Sequence, residues 1–270
     1  MLTAVLTTTG CVTYGPPRAG ESIYRDLVYA SPGGCDLHLD LYVPPAARPL
    51  PVVIWFHGGS WKHGNKSIFL FMRDLPRHGI ALVSVDYRLS DRAKYPAQIE
   101  DARAALQWVR ATGARYHLDP GRIGLSGASA GGHLAALLGT LEGTPAIRAV
   151  CVLYPPTDIV AMDKRYAKFG GLNWVGTFLG GSHDTQLALA AEASPINHVT
   201  ASSPPFLIFH GALDWMVPVE QSRELHSRLL QAGVESQLVI LPGKIHGFAL
   251  DGAQIDKVVR FFRTYLSNTP

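Results

Sequence analysis

The chain has 270 residues, 47% of them hydrophobic and 17% charged, with a formal charge of +3. This balance excludes a disordered chain and suits one large α/β domain, or two small ones, with a sizeable core. The weak positive charge is not gathered into a Lys/Arg stripe, which argues against a nucleic-acid partner, and no stretch approaches the ~18 apolar residues of a membrane span.

Met1 to Gly10 is apolar and threonine-rich, and Cys11 follows. Two readings stand. One is the tail of a bacterial lipoprotein signal, with Cys11 as the lipid-anchored residue and the cell envelope or periplasm as location. The other is a loose N-terminal tail on a cytoplasmic protein. The lack of a basic leader segment, the short apolar stretch and Thr8 depart from the signal pattern. The three cysteines (Cys11, Cys35 and Cys151) lack metal-type spacing, and an odd count cannot be fully paired within one chain. Cys151 lies in an apolar run and reads as a small buried hydrophobe.

Tyr24 to Ala30 and Leu37 to Val43 are predicted strands, antiparallel because Pro32-Gly33-Gly34 joins them so closely. Pro51 to Phe56 is continuously apolar, as a strand covered on both faces must be. It ends in His57-Gly58-Gly59-Ser60-Trp61. A helix is expected over Ser67 to His78, stopped by Gly79, then a strand over Ile80 to Val85. Pro96 precedes a helix from Ala97 to Ala111, whose inner face is Ile99, Ala102, Leu106 and either Val109 or Trp108. A strand over Arg122 to Leu125 runs into Gly127-Ala128-Ser129-Ala130-Gly131, and a helix follows from Ala130 to Leu141. Later strands are expected over Ile147 to Leu153, Phe206 to Phe209 and Gln237 to Leu241. Later helices are expected over Val219 to Gln231 and Gln254 to Tyr265. Strands alternating with helices predict a mostly parallel sheet of about eight strands, covered on both sides. Residues 156–203 interrupt the rhythm. This aromatic, glycine-punctuated insertion (Tyr166, Phe169, Trp174, Phe178) reads as a lid over a site.

Ligands of an open α/β sheet sit beyond the carboxyl ends of its strands, so the polar residues of those loops belong together. A serine at the apex of a strand–turn–helix is lifted out of the sheet edge, and the glycines around it permit close chain approach. Ser129 is the candidate nucleophile. It needs a base near neutral pKa, hence a histidine. Of eleven histidines, His133 lies on the helix behind the serine, His226 on an amphipathic helix and His38 on a wetted strand face. His57 and His210 end strands beside glycines, where a ring braces a loop. His246, in the glycine-flanked loop after the last strand, is the candidate base. Asp214 follows the preceding strand and is the candidate acid that orients it; Asp158 and Asp184 are rivals, both inside the insertion. Gly59 and Ser60, with Ala130, offer backbone N–H groups for a developing oxyanion. Trp61, Trp174, Trp215 and Phe248 are candidate substrate-binding residues.

With these residues in view, the chain resembles an α/β-hydrolase: an HGG-motif esterase related to hormone-sensitive lipase, of the bacterial feruloyl-esterase-like (BD-FAE-like) branch. The segments that carry the resemblance are HGGSWKHGNK, VDYRLS, YPAQIEDARAALQWVR, LDPGRIGLSGASAGGHLAALLG, FLGG, HGALDWMVPVEQS and PGKIHGF. Ser60 departs from it, standing where many relatives carry a third glycine. The resemblance implies a tail over 1–20 and one α/β-hydrolase domain over 21–270 with a lid insertion at about 156–203. It implies hydrolysis of short-chain or aromatic-acid carboxylic esters through a serine acyl-enzyme, with no cofactor and no metal. The expected partner is a small-molecule ester, for a monomer or homodimer. Kynurenine formamidases also carry a non-glycine residue followed by tryptophan at the position of Ser60 and Trp61, so formamide hydrolysis is the enzymatic alternative. A catalytically silent binding homologue is the non-enzymatic one.

Overall fold

The computed structural model describes residues 19–68, 70–169, 174–182 and 184–267, so Cys11 and the tail before it lie outside the described residues. Eight strands form one sheet: β1 (Ser22–Ala30), β2 (Leu37–Val43), β3 (Leu50–Phe56), β4 (Ala81–Val85), β5 (Leu118–Ala128), β6 (Ala149–Leu153), β7 (Phe206–Gly211) and β8 (Ser236–Leu241). Their order is β1-β2-β4-β3-β5-β6-β7-β8. β2 is antiparallel to both β1 and β4, and every other pairing is parallel. Only β2 runs against the rest.

The helices are α1 (Ala97–Thr112), α2 (Ala130–Glu142), α3 (Ile159–Phe169), α4 (Trp174–Leu179), α5 (Leu187–Glu192), α6 (Val219–Gln231) and α7 (Gly252–Leu266). The apolar run of β3 is explained by its central place. Val52, Ile54 and Phe56 join a core with Leu106 of α1, Leu134 of α2 and Leu225 of α6. Val53 and Trp55, pointing the other way, join Phe262 of α7 and Met72 and Leu75. A fully buried side chain of this size contributes about 2–3 kcal/mol, so two-sided burial selects apolar residues at every position of the strand.

Three expectations are corrected, and one open choice is settled. The helix expected over Ser67 to His78 is a 3-10 helix over Leu70–His78 with Pro76 inside it. Proline lacks the N–H an α-helix needs there, and its ring crowds the preceding turn. Upstream, Asn65 folds the chain into a turn (Ser67 N to Asn65 Oδ1, 2.9 Å), and the Trp55 indole holds the Ile68 carbonyl at 2.7 Å. β5 starts at Leu118 rather than Arg122, with a register shift where Pro120-Gly121 interrupts the pairing with β3. α7 starts at Gly252 rather than Gln254, because Asp251 and Gln254 form a reciprocal capping box. On α1 the inner-face choice falls to Val109, fully buried, while Trp108 stacks on Tyr116 at the rim.

Between β6 and β7 the insertion places α3, α4, α5 and a 3-10 turn over Pro195–Asn197. Ile159, Met162, Val175 and Phe178 turn inward and are buried, while Leu187 is exposed. Phe178 stacks on Trp61 with ring centroids 4.4 Å apart.

Candidate active site

β5 ends one residue before Ser129, and α2 begins one residue after it. Ser129 sits at φ 53°, ψ −121°, a conformation that costs a non-glycine residue about 1–3 kcal/mol and persists only where packing enforces it. The enforcement is backbone on backbone. A Cβ on Gly127 would lie 2.2 Å from the Gly131 carbonyl oxygen, and a Cβ on Gly131 would lie 2.1 Å from that of Phe56. The end of β3, the turn after β5 and the first turn of α2 therefore pack as closely as bare backbone allows.

The serine turn, the acid loop after β7 and the histidine loop after β8 converge at the carboxyl edge of the sheet. His246 Nε2 stands 2.9 Å from Ser129 Oγ, and His246 Nδ1 stands 2.7 Å from Asp214 Oδ2. Because the carboxylate can only accept, Nδ1 carries the proton, and Nε2 presents a lone pair to the serine hydroxyl. Asp214 is buried and itself tied down: its Oδ1 accepts from the N–H groups of Met216 (3.0 Å) and Val217 (2.8 Å). His210 lies 3.4 Å from its Oδ2, and that ring is fixed between Ser222 Oγ (2.6 Å) and the Val217 carbonyl (2.8 Å). Burial alone would raise the Asp214 carboxyl; hydrogen bonds to His210, His246 and the Val217 N–H outweigh it and hold the group at about 2.

That depression has a consequence for stability. A carboxyl whose folded value lies below its unfolded value of ~3.9 stabilises the fold above that pH, and the contribution disappears as pH falls through the folded value. The expected contribution is about 2 kcal/mol. In urea unfolding, the stability gap between wild type and Asp214→Asn should stay level from about pH 6 to about pH 4.5 and then narrow down to about pH 2.5. A gap independent of pH would contradict this.

The loop after β3 carries the neighbouring N–H groups. Gly59 adopts φ 124°, Ser60 φ 54° and Trp61 φ 57°. A Cβ on Gly59 would lie 2.0 Å from the His63 carbonyl oxygen, so the bend tolerates only glycine there. The Gly59 carbonyl accepts from Lys62 and His63 and closes the bend. The N–H groups of Gly59, Ser60 and Ala130 have no acceptor among the described residues.

Three other histidines are occupied elsewhere. His133 is fully buried. Its Nδ1 accepts from Trp61 Nε1 at 3.1 Å and its Nε2 donates to the Ala193 carbonyl at 2.7 Å, linking the β3 loop to α2 and the insertion. His57 donates to the Gly58 carbonyl at 2.8 Å and stacks on Tyr87 at 4.4 Å. Burial, partly offset by these carbonyl hydrogen bonds, lowers both imidazoles to about 4, so both are neutral near pH 7. His226 meets Ser236 Oγ at 2.8 Å. Asp158 caps α3 through the Ala161 N–H at 2.9 Å.

Two cavities open beside Ser129. The larger, about 360 Å³, is lined by Trp55, Ile68, Tyr154, Met216 and His246 as well as by Ser129. The smaller, about 10 Å³, is lined by Trp61, Met162, Trp174, Val175 and Ala130 as well as by Ser129. Of the four aromatic residues expected to bind substrate, Trp61 and Trp174 border the small cavity. The other two lie outside both. Trp215 is 61% exposed and Phe248 is packed edge-on against Tyr154, because the loops that carry them turn their rings to solvent and to the core respectively. Tyr154, edge-on to His246 at 4.6 Å, and Met216, which borders both cavities, escaped the sequence reading. Tyr154-Pro155-Pro156 marks a strand end, but nothing in that pattern tells where the ring points.

The sheet order, the serine turn between β5 and α2, and the loops after β7 and β8 define an α/β-hydrolase. The BD-FAE family model matches residues 39–229, and the chain belongs to that family. It is 32% identical to Esterase LipC of Mycobacterium tuberculosis over 82% of this chain and 59% of that protein. It is 31% identical to Carboxylesterase NlhH of the same organism over 80% of this chain and 72% of that protein. A solved truncated form of a carbohydrate esterase from gut microbiota superposes with TM-score 0.82 at 27% identity, covering 92% of this chain and 97% of that one. The chain spans about 60% of the length of several curated relatives it matches. Among the described residues no helix is long and apolar enough to cross a membrane, and no group of three or more His, Cys, Asp or Glu is placed to hold a metal ion.

Proposed function

We propose that the protein is a serine carboxylesterase that cleaves short-chain or aromatic-acid esters through an acyl-enzyme. The observation that carries this reading is the continuous hydrogen-bonded chain from Ser129 Oγ through His246 to Asp214, beside three backbone N–H groups that have no acceptor among the described residues. Ser129 Oγ attacks the ester carbonyl as its proton passes to His246 Nε2, and Asp214 holds the imidazolium that forms. The carbonyl oxygen, now negative, accepts from Gly59, Ser60 and Ala130, each such donor contributing about 3 kcal/mol to the barrier reduction. Collapse of the tetrahedral intermediate breaks the ester C–O bond, and His246 returns the proton to the departing alcohol. Water, deprotonated by the same ring, then frees the acid and restores the serine. The insertion over 156–203 acts as a lid in this reading, supported by the residues it sets around the small cavity at Ser129: Pro156, Met162, Trp174 and Val175.

A fluorophosphonate probe should label the protein stoichiometrically at Ser129, identified by peptide mass spectrometry, while p-nitrophenyl acetate is hydrolysed. A folded protein that neither takes the probe nor cleaves the ester would end the proposal. The formamidase alternative uses the same acyl-transfer steps, and relative rates on N-formylkynurenine and phenyl acetate separate the two.

A further inference from the structure

The two cavities differ greatly in volume, and only one of them touches the histidine. Building on the esterase reading, we infer that the smaller cavity takes the acyl group and limits it to about the size of acetyl, while the larger cavity takes a bulky alcohol. With the carbonyl carbon at Ser129 Oγ and its oxygen toward Gly59, Ser60 and Ala130, the acyl chain and the alkoxy oxygen must leave the reacting carbon in two different directions. The alkoxy oxygen departs with a proton from His246 Nε2, so it lies on the histidine side. His246 and Gly247 line the 360 Å³ cavity and are absent from the wall of the small one. The acyl group is left with the small cavity, which Ala130 borders from the oxyanion side.

A volume of about 10 Å³ is roughly the room one water molecule requires, which a methyl group also fits. The walls do not yield equally. Trp61 is pinned by its hydrogen bond to His133 and its stack on Phe178, so it cannot swing aside. Met162, on α3, is unbranched and adaptable and makes the soft wall. Trp174, on α4, is partly exposed and closes the pocket from the insertion side. A butyryl chain has to displace these side chains, and an aromatic acyl group has to displace more of them. This selects the short-chain branch of the esterase reading: acetyl esters of large alcohols.

The test is kcat/KM on p-nitrophenyl acetate, butyrate and octanoate, on 1-naphthyl acetate, and on methyl ferulate, which reverses the sizes of acid and alcohol. Wild type should favour acetate over butyrate by about tenfold or more, accept naphthyl acetate readily, and leave methyl ferulate near background. Met162→Ala and Trp174→Ala should each shift the butyrate-to-acetate ratio about tenfold toward butyrate; the partly exposed Trp174 provides a variant that folds should the buried one fail. Wild-type turnover of octanoate or methyl ferulate as fast as acetate, or an unchanged ratio in both variants, would overturn the acyl assignment while leaving the esterase reading standing. Absence of both ester cleavage and fluorophosphonate labelling would remove that reading and this inference together.

Discussion

His246→Ala is expected to lower kcat on p-nitrophenyl acetate by about 10⁶-fold, and Ser129→Ala by about as much. The reason is shared work. In the proposed mechanism the serine hydroxyl gains nucleophilicity only as the ring takes its proton across the 2.9 Å contact, so either deletion silences the same step. The double variant Ser129→Ala, His246→Ala should therefore be no slower than either single variant, with a residue of about 10³–10⁴-fold over water left by the N–H groups and binding. Multiplicative losses in the double variant would show that the two residues act independently, contrary to the proposed mechanism. Near-complete activity in His246→Ala would contradict it outright.

Gly131→Ala is expected to cost about 3 kcal/mol or more of folding stability, read as the shift of the urea midpoint, and most of the activity with it. In the middle of an exposed helix this substitution would stabilise. Here the added carbon would sit 2.1 Å from the Phe56 carbonyl oxygen and 2.4 Å from that of His57, atoms of β3 and its loop that cannot rotate away. α2 must then move off the sheet, taking Ser129 and the Ala130 N–H with it. Gly252→Ala, at the first turn of α7 with nothing within 4 Å of the new carbon, is the matched control and should change stability by no more than ~0.5 kcal/mol. Equal effects of the two substitutions would show that close packing at the serine turn is not what requires glycine at 131.

Much of the architecture follows from short-range rules. Leu37–Val43 is the strand expected, but its second face is not wetted as its alternation suggests: Asp40 and Tyr42 are as buried as Leu39 and Leu41. Val219–Gln231 is likewise the helix expected, bounded by Pro218 and Gly233. The serine, histidine and aspartate stood out because each follows a strand at one sheet edge, and the strand-to-helix alternation dictates which edge that is. Elements failed where the deciding contact came from elsewhere. The chain before Leu70 is a turn rather than a helix partly because the Trp55 indole, thirteen residues upstream, takes the Ile68 carbonyl.

Side-chain direction is the other division. The order of strands, the glycine turn and the chemical types gathered at the sheet edge were dictated by local periodicity and by which residues tolerate a bend. That Trp61 is locked between His133 and Phe178, that Phe248 turns to the core and Trp215 to solvent, and that a pocket near one methyl group in size adjoins a broad cleft were decided only in three dimensions. Cavity shape depends on how side chains from distant segments share space, and volume exclusion between them leaves no periodic trace along the chain.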